Sequence, residues 1–87
     1  MAKALADALG PDGIRVNAVC PGTIDTVLLR NTPGASEVSA GFRLRTPLRR
    51  LGQPSEVADA VVWLGSDLSS YVTGIALLVD GGLLSVI

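Results

Sequence analysis

Pro21-Gly22-Thr23-Ile24-Asp25-Thr26 is the segment with the most chemistry to offer. It follows Ile14 to Cys20, which is patterned as a strand, and open α/β sheets hold their ligands at the carboxyl ends of strands. A Pro-Gly turn leading into a helical turn capped by Thr26 or Asp25 accounts for the same residues without a ligand. Arg43, Arg45, Arg49 and Arg50, with Arg30, suit an anionic group such as a phosphate, because guanidinium forks match it. The plainer use is favoured: a solvated loop with Arg49 or Arg50 tied to Glu56 or Asp59. Cys20 has no basic neighbour in sequence to lower its pKa, so it reads as a small buried hydrophobe. Asn17, placed in a buried strand, needs a hydrogen-bond partner and reads as structural.

The elements that must position these residues follow from period and punctuation. Residues 1–10 read as the end of a helix with Leu5 and Leu9 on one face, stopped by Gly10 and Pro11. A strand is expected over 14–20. Residues 23–52 show no sustained period and contain Pro33-Gly34, Gly41 and Pro47, so they read as a long lid-like connection with two short helical turns. Pro54 and Glu56 open a helix over 54–65, with Gln53 as its cap and Val57, Ala60, Val61 and Leu64 on one face. Ile75 to Val79 is apolar without alternation, the pattern of a strand covered on both faces, and 80–87 form an apolar tail. Strand, crossover with a helix, strand is a βαβ unit, right-handed by the general rule.

Eighty-seven residues make one small domain at most, and 48% hydrophobic against 17% charged argues against disorder. A net charge of -1 gives no reason to expect a nucleic-acid or anionic-membrane partner. The charge is uneven, however: residues 26–50 carry five arginines against Glu37 alone. With no histidine and one cysteine there is neither a metal-ligand cluster nor an internal disulfide, which fits a reducing, cytoplasmic setting. The longest apolar run is too short to cross a bilayer and no cleavable leader is evident, so a soluble protein is expected.

Four motifs, in order, resemble the last third of a short-chain dehydrogenase/reductase of the 3-oxoacyl-reductase-like kind. They are Gly13 to Gly22, Pro47 to Pro54 with Glu56-Val57-Ala58, Leu64 to Asp67, and Tyr71-Val72-Thr73-Gly74 with Val79-Asp80-Gly81-Gly82. The resemblance implies an α/β fold, here the incomplete C-terminal βαβ portion of a Rossmann-like doubly wound parallel sheet, with 1–87 as one partial domain. It implies an NAD or NADP cofactor. It also assigns Pro21, Gly22, Ile24 and Thr26 to the cofactor site: backbone groups near Ile24 for the nicotinamide carboxamide, and the Thr26 hydroxyl for carboxamide or phosphate.

What the family needs and these residues lack is equally definite. Its phosphate-binding Gly-x-x-x-Gly-x-Gly turn has no counterpart among the ten glycines. Its acid/base tyrosine is followed four residues later by a lysine that lowers the phenol pKa. Tyr71 is the only tyrosine, Ile75 stands four residues on, and the only lysine, Lys3, reads as a solvated helix residue. No catalytic residue and no metal ligand is therefore expected in the chain.

The expectation is a C-terminal fragment of an NAD(P)-dependent oxidoreductase acting on a small-molecule carbonyl or alcohol, inactive as 87 residues alone. The alternative is a non-catalytic βαβ oligomerisation module of the same family, and a flavin or nucleotide binder has only the βαβ pattern in its favour. A homo-oligomer is expected in either of the first two cases, through Val62, Trp63 and the tail.

Overall fold

In the computed structural model, which describes residues 1–85, the apolar run after Gly74 pairs with the stretch that ends at Pro21. These are β1 (Ala18–Pro21) and β2 (Ala76–Val79), parallel neighbours in register Ala18↔Ala76 to Pro21↔Val79. The pairing is the one expected, but the first strand is shorter than 14–20. Gly74 takes φ 78, a left-handed turn that cannot continue a ladder, so residues before Ala18 bond to a turn instead of a strand. Val16 N–H donates to Thr73 Oγ1 (3.0 Å) and Gly74 N–H to Val16 O (2.8 Å). Asn17 is structural, as expected: its Nδ2 donates to Val72 O (3.0 Å) and its Oδ1 accepts from Ile75 N–H (3.2 Å).

The helix ahead of β1, α1 (Ala2–Leu9), ends at Gly10-Pro11 as expected. A separate 3-10 turn follows over Gly10–Asp12, where proline is tolerated because its missing N–H would have no partner in a first turn, and the chain leaves it at Gly13, φ 77.

Between β1 and β2 lie α2 (Val27–Arg30), α3 (Ala35–Arg45) and α4 (Pro54–Leu64). Instead of two short turns, the connection holds one turn and an eleven-residue helix. None of α3 is buried, so it has no apolar stripe to betray it. Its helical signal is electrostatic: Glu37 in the first turn and Arg43 and Arg45 in the last complement the macrodipole. α4 opens as expected, with the Glu56 carboxylate accepting from Gln53 N–H (2.9 Å), and it packs on both strands.

Burial is partial on both sides of the sheet. Of the apolar positions on α4, Leu64 is buried, while Val61 is 52% exposed and overlooks a hollow of about 370 Å³ beside β1, lined also by Asn17 and Val19. The strands are not covered on both faces within this chain: Leu78 is 46% exposed. Among the described residues the buried apolar set is Ala6, Leu51 and Leu64. The radius of gyration is 15.6 Å, against about 12 Å for a compact domain of this length. The accessible surface is 6073 Å², against roughly 4,800 Å² for a compact protein of this mass. Half-covered strands, a hollow and excess surface have one cause, apolar faces without a covering layer. No helix among the described residues is long and apolar enough to cross a membrane. Val86 and Ile87, counted in the apolar tail, lie outside the described residues.

Candidate functional site

The loop at the carboxyl end of β1 is held from two sides. Pro21 closes the ladder rather than ending the strand before it, and Gly22 N–H donates to Val79 O (3.0 Å). Gly22 is a packing requirement: a Cβ there would lie 2.7 Å from Asp80 Cβ and 2.9 Å from Asp80 Cα. Further on, Ile24 pairs with Gly52 in an isolated parallel bridge, with Gly52 N–H donating to Thr23 O (3.0 Å) and Asp25 N–H to Gly52 O (2.8 Å). Bridges of this kind turn the N–H and C=O of the middle residue away from the partner. Ile24 therefore presents one backbone donor and one backbone acceptor on the side facing away from Gly52.

Thr26 caps α2, its Oγ1 accepting from Leu29 N–H (3.1 Å). Accepting this bond leaves the hydroxyl proton free to donate elsewhere. The cap and the ligand reading of Thr26 are thus compatible, because they use different parts of one hydroxyl. Asp25, the other cap considered, instead lies 3.6 Å from Arg30 Nε.

Behind the loop is a concavity of about 250 Å³, lined in part by Thr23, Ile24, Gly52, Leu78 and Asp80. The ionised groups at its rim are already engaged. Arg50 grips Glu56 with both terminal nitrogens, at 2.7 and 2.9 Å, as the plainer reading of the arginines expected. The Arg50 hydrogen bonds, with the Gln53 N–H, hold the Glu56 carboxyl down at about 2, from an ordinary 4.5, and Arg50 is correspondingly raised. Asp80 accepts from Gly82 N–H (2.9 Å) and Leu84 N–H (3.1 Å). The concavity offers shape and backbone rather than acid/base groups.

A carboxyl whose pKa is depressed on folding stabilises the fold above its unfolded value, and that contribution is lost as pH falls through the folded one. Helix content followed by circular dichroism should therefore fall between about pH 4.5 and about pH 2 as Glu56 is protonated. Glu56→Gln should show less helix at neutral pH and no such acid step, whereas an unchanged acid step would assign it to other carboxyls.

The remaining candidates scatter. Tyr71 is fully exposed on the connection between α4 and β2, and Lys3 bonds Asp7 on the surface of α1 (2.6 Å). Arg45 stacks over the Phe42 ring at 4.6 Å, and Arg49, at φ 58, donates to Leu44 O and Thr46 O, both at 2.9 Å. Cys20 is a half-buried free thiol, not a buried one.

Sequence reasoning passed over Arg15. Its Nη1 donates to Ser69 Oγ (3.1 Å) and Val72 O (3.2 Å), and its Nη2 to Ser66 O (3.1 Å). Ser69 is the most deeply buried of the described residues, its hydroxyl 2.9 Å from both Trp63 O and Leu64 O. A charged residue inside a strand pattern was the available signal. Together with Asn17, Arg15 clamps the α4–β2 connection to the entry of β1.

Comparison with known proteins matches residues 1–84 to the family model described as Enoyl-(Acyl carrier protein) reductase. The L-rhamnose 1-dehydrogenase (NAD(P)(+)) of Azotobacter vinelandii is 49% identical over 81 residues, which is 93% of this chain and 32% of that protein. A crystal structure of a 3-oxoacyl-[acyl-carrier protein] reductase from Brucella melitensis superposes with a TM-score of 0.87 at 51% identity, covering 94% of this chain and 30% of that one. A structure of such a reductase from the same organism, with bound NAD, gives a TM-score of 0.80 at 51% identity, covering 94% and 28%. The chain spans about a third of the length of the curated relatives it matches.

Proposed function

Because this chain belongs to the short-chain dehydrogenase/reductase family, whose α/β fold it shares in part, we propose that it is the C-terminal third of an NAD(P)-dependent oxidoreductase acting on a carbonyl or alcohol. Its contribution is one wall of the nicotinamide site. The observation that carries this reading is the loop at the end of β1, where Ile24 turns a backbone donor and acceptor outward and Thr26 keeps a free hydroxyl proton. That donor set is complementary to a carboxamide, which offers one carbonyl oxygen and one amino group. When bound, the nicotinamide supplies reversible hydride transfer. The residues here orient it, and the phosphate-binding turn and the acid/base residues come from outside these 87 residues. A cytoplasmic setting belongs to the same reading. So does homo-oligomerisation through the outer flank of α4, where Val62 is 70% and Trp63 40% exposed, which light scattering at micromolar concentration reads out.

The test needs a complete dehydrogenase. In the Brucella melitensis reductase with its matching last third exchanged for this chain, Thr26→Val should weaken cofactor binding by about 0.5–3 kcal/mol, the range for a hydrogen bond to a neutral or charged group. Thr26→Ser keeps both the cap and the donor and should restore it. Cofactor affinity that is the same in both variants and in the unsubstituted chimera would leave Thr26 as a helix cap only.

A further inference from the structure

The bridge that aims Ile24 is a slight one. It stands outside both strands, with no ladder on either side to keep its setting, and Gly52 has no side chain with which to hold its own place. A Cβ at Gly52 would lie 2.8 Å from Ile24 Cδ1, so the close approach of the two residues depends on that bareness. The direction in which Ile24 turns its free N–H and C=O is therefore set by whatever holds the residues flanking Gly52.

Those residues are held by one carboxylate. Glu56 Oε1 accepts from Arg50 Nη1 (2.7 Å), ahead of Gly52, and from Gln53 N–H (2.9 Å), just after it, while Oε2 accepts from Arg50 Nη2 (2.9 Å). Arg50 Nη1 also donates to Leu51 O (3.2 Å), so the guanidinium grips the chain as well as the acid. The result is a clasp closed around Gly52 and rooted in the first turn of α4, which packs on both strands. The bond from Gln53 N–H is the one that serves the start of α4. The fork from Arg50 reaches back instead to the chain entering the bridge. Held down at about 2, the Glu56 carboxyl stays ionised through neutral pH, which makes the clasp a fixed part and not a switch.

We infer that Arg50 and Glu56 are positioning residues for the cofactor loop: the clasp they close around Gly52 fixes the bridge to Ile24, and with it the direction of the backbone donor and acceptor offered to the nicotinamide. The inference rests on the nicotinamide reading of that loop. Both side chains are about half exposed in this chain, 52% and 41%, and an ion pair so placed contributes little to overall stability. A small contribution is enough to bias the setting of a two-bond bridge. Its loss then shows in cofactor affinity before it shows in unfolding.

Arg50→Ala in the folded chimera tests this, because it opens the clasp and leaves the Gln53–Glu56 bond in place. The KM for the nicotinamide cofactor should rise about two- to fivefold, the range for an exposed ion pair, with little change in kcat or in the unfolding midpoint. Amide exchange at Gly52 and Asp25, whose N–H groups make the bridge, should quicken by a similar factor, while Gly22 N–H, bonded to Val79 O, keeps its rate. Arg50→Lys should recover only part of the loss, since an ammonium cannot match both carboxylate oxygens. Arg43→Ala removes the same charge from the exposed last turn of α3 and should change neither readout, which separates the clasp from a general attraction for an anionic cofactor. Unchanged exchange at Gly52 and Asp25, or an equal rise in KM with Arg43→Ala, would overturn the inference. So would a loss that extends to Gly22 and the unfolding midpoint, because the pair would then support the whole fold. Quickened exchange with an unmoved KM would overturn it as well, and Thr26→Val then shows which reading failed. Affinity that still depends on Thr26 leaves the nicotinamide site standing without Arg50, whereas affinity indifferent to both removes the site itself.

Discussion

Replacing Gly22 by alanine is expected to destabilise the fold by about 1–3 kcal/mol, the usual cost of forcing a methyl group into a packed site. A Cβ at that position would overlap the Cβ and Cα of Asp80 at 2.7 and 2.9 Å, and Cα is backbone that cannot swing aside. Asp80 is itself fixed by the Gly82 and Leu84 amides, so the strain passes to the Gly22–Val79 hydrogen bond and the loop beyond it. Thermal or urea unfolding of the chimera measures the loss, and cofactor affinity should fall with it because Ile24 and Thr26 move. Gly41→Ala is the control. It sits within α3 with nothing inside 4 Å of the added Cβ, and should gain about 0.5–1 kcal/mol from helix preference. Equal stability of the Gly22→Ala and unsubstituted proteins would mean that the loop and β2 yield more readily than this geometry allows.

Arg15→Ala should cost a comparable amount, about 1.5–3 kcal/mol, the range for hydrogen bonds made by a charged group. Three acceptors on the α4–β2 connection lose their donor together, although Val72 O keeps Asn17 Nδ2 (3.0 Å) and Ser66 O keeps Ser69 N–H (3.3 Å). The partners that survive set the upper limit. Arg15→Lys should recover less than half, because a single ammonium cannot reach acceptors spread around a planar fork. Hydrogen exchange should report the opening at residues 66–75 before it appears in β1 or β2. Exchange that rises evenly through the chain would show that Arg15 supports the whole fold and not this connection.

The parts of the fold legible in the residues were those with a single dominant cause. Ile75 to Val79 is an uninterrupted apolar run and pairs in parallel, and Pro54 with Glu56 marks the start of α4 within a residue. α3 was hidden because its helix rests on end charges rather than on an apolar stripe, and Gly41 in its middle reads as a breaker. The shortened β1 depends on φ 78 at Gly74, nearly sixty residues away, which no local pattern around Ile14 reveals. Coverage is a matter the residue types leave open. Apolar residues announce that Val61 and Leu78 want to be covered, but not whether the covering layer belongs to the same 87 residues. At the candidate site, Pro21-Gly22 and Thr26 were visible by type. The outward turn of Ile24's backbone was not, because it follows from a single bridge to Gly52, itself packed against Ile24 Cδ1.

The absence of any buried residue from α3 has a consequence for how such a protein can change over generations. Most substitutions along Ala35–Arg45 meet solvent, Ala35, Ser39, Gly41 and Phe42 being half-buried, so few of them threaten the register of β1 and β2, which Asn17 brackets at one end and Gly22 at the other. Tolerance and constraint are therefore carried by different stretches of the chain. The stretch free to drift is α3, so the surface it presents could be rebuilt by a descendant while the framework of β1 and β2 stays as it was.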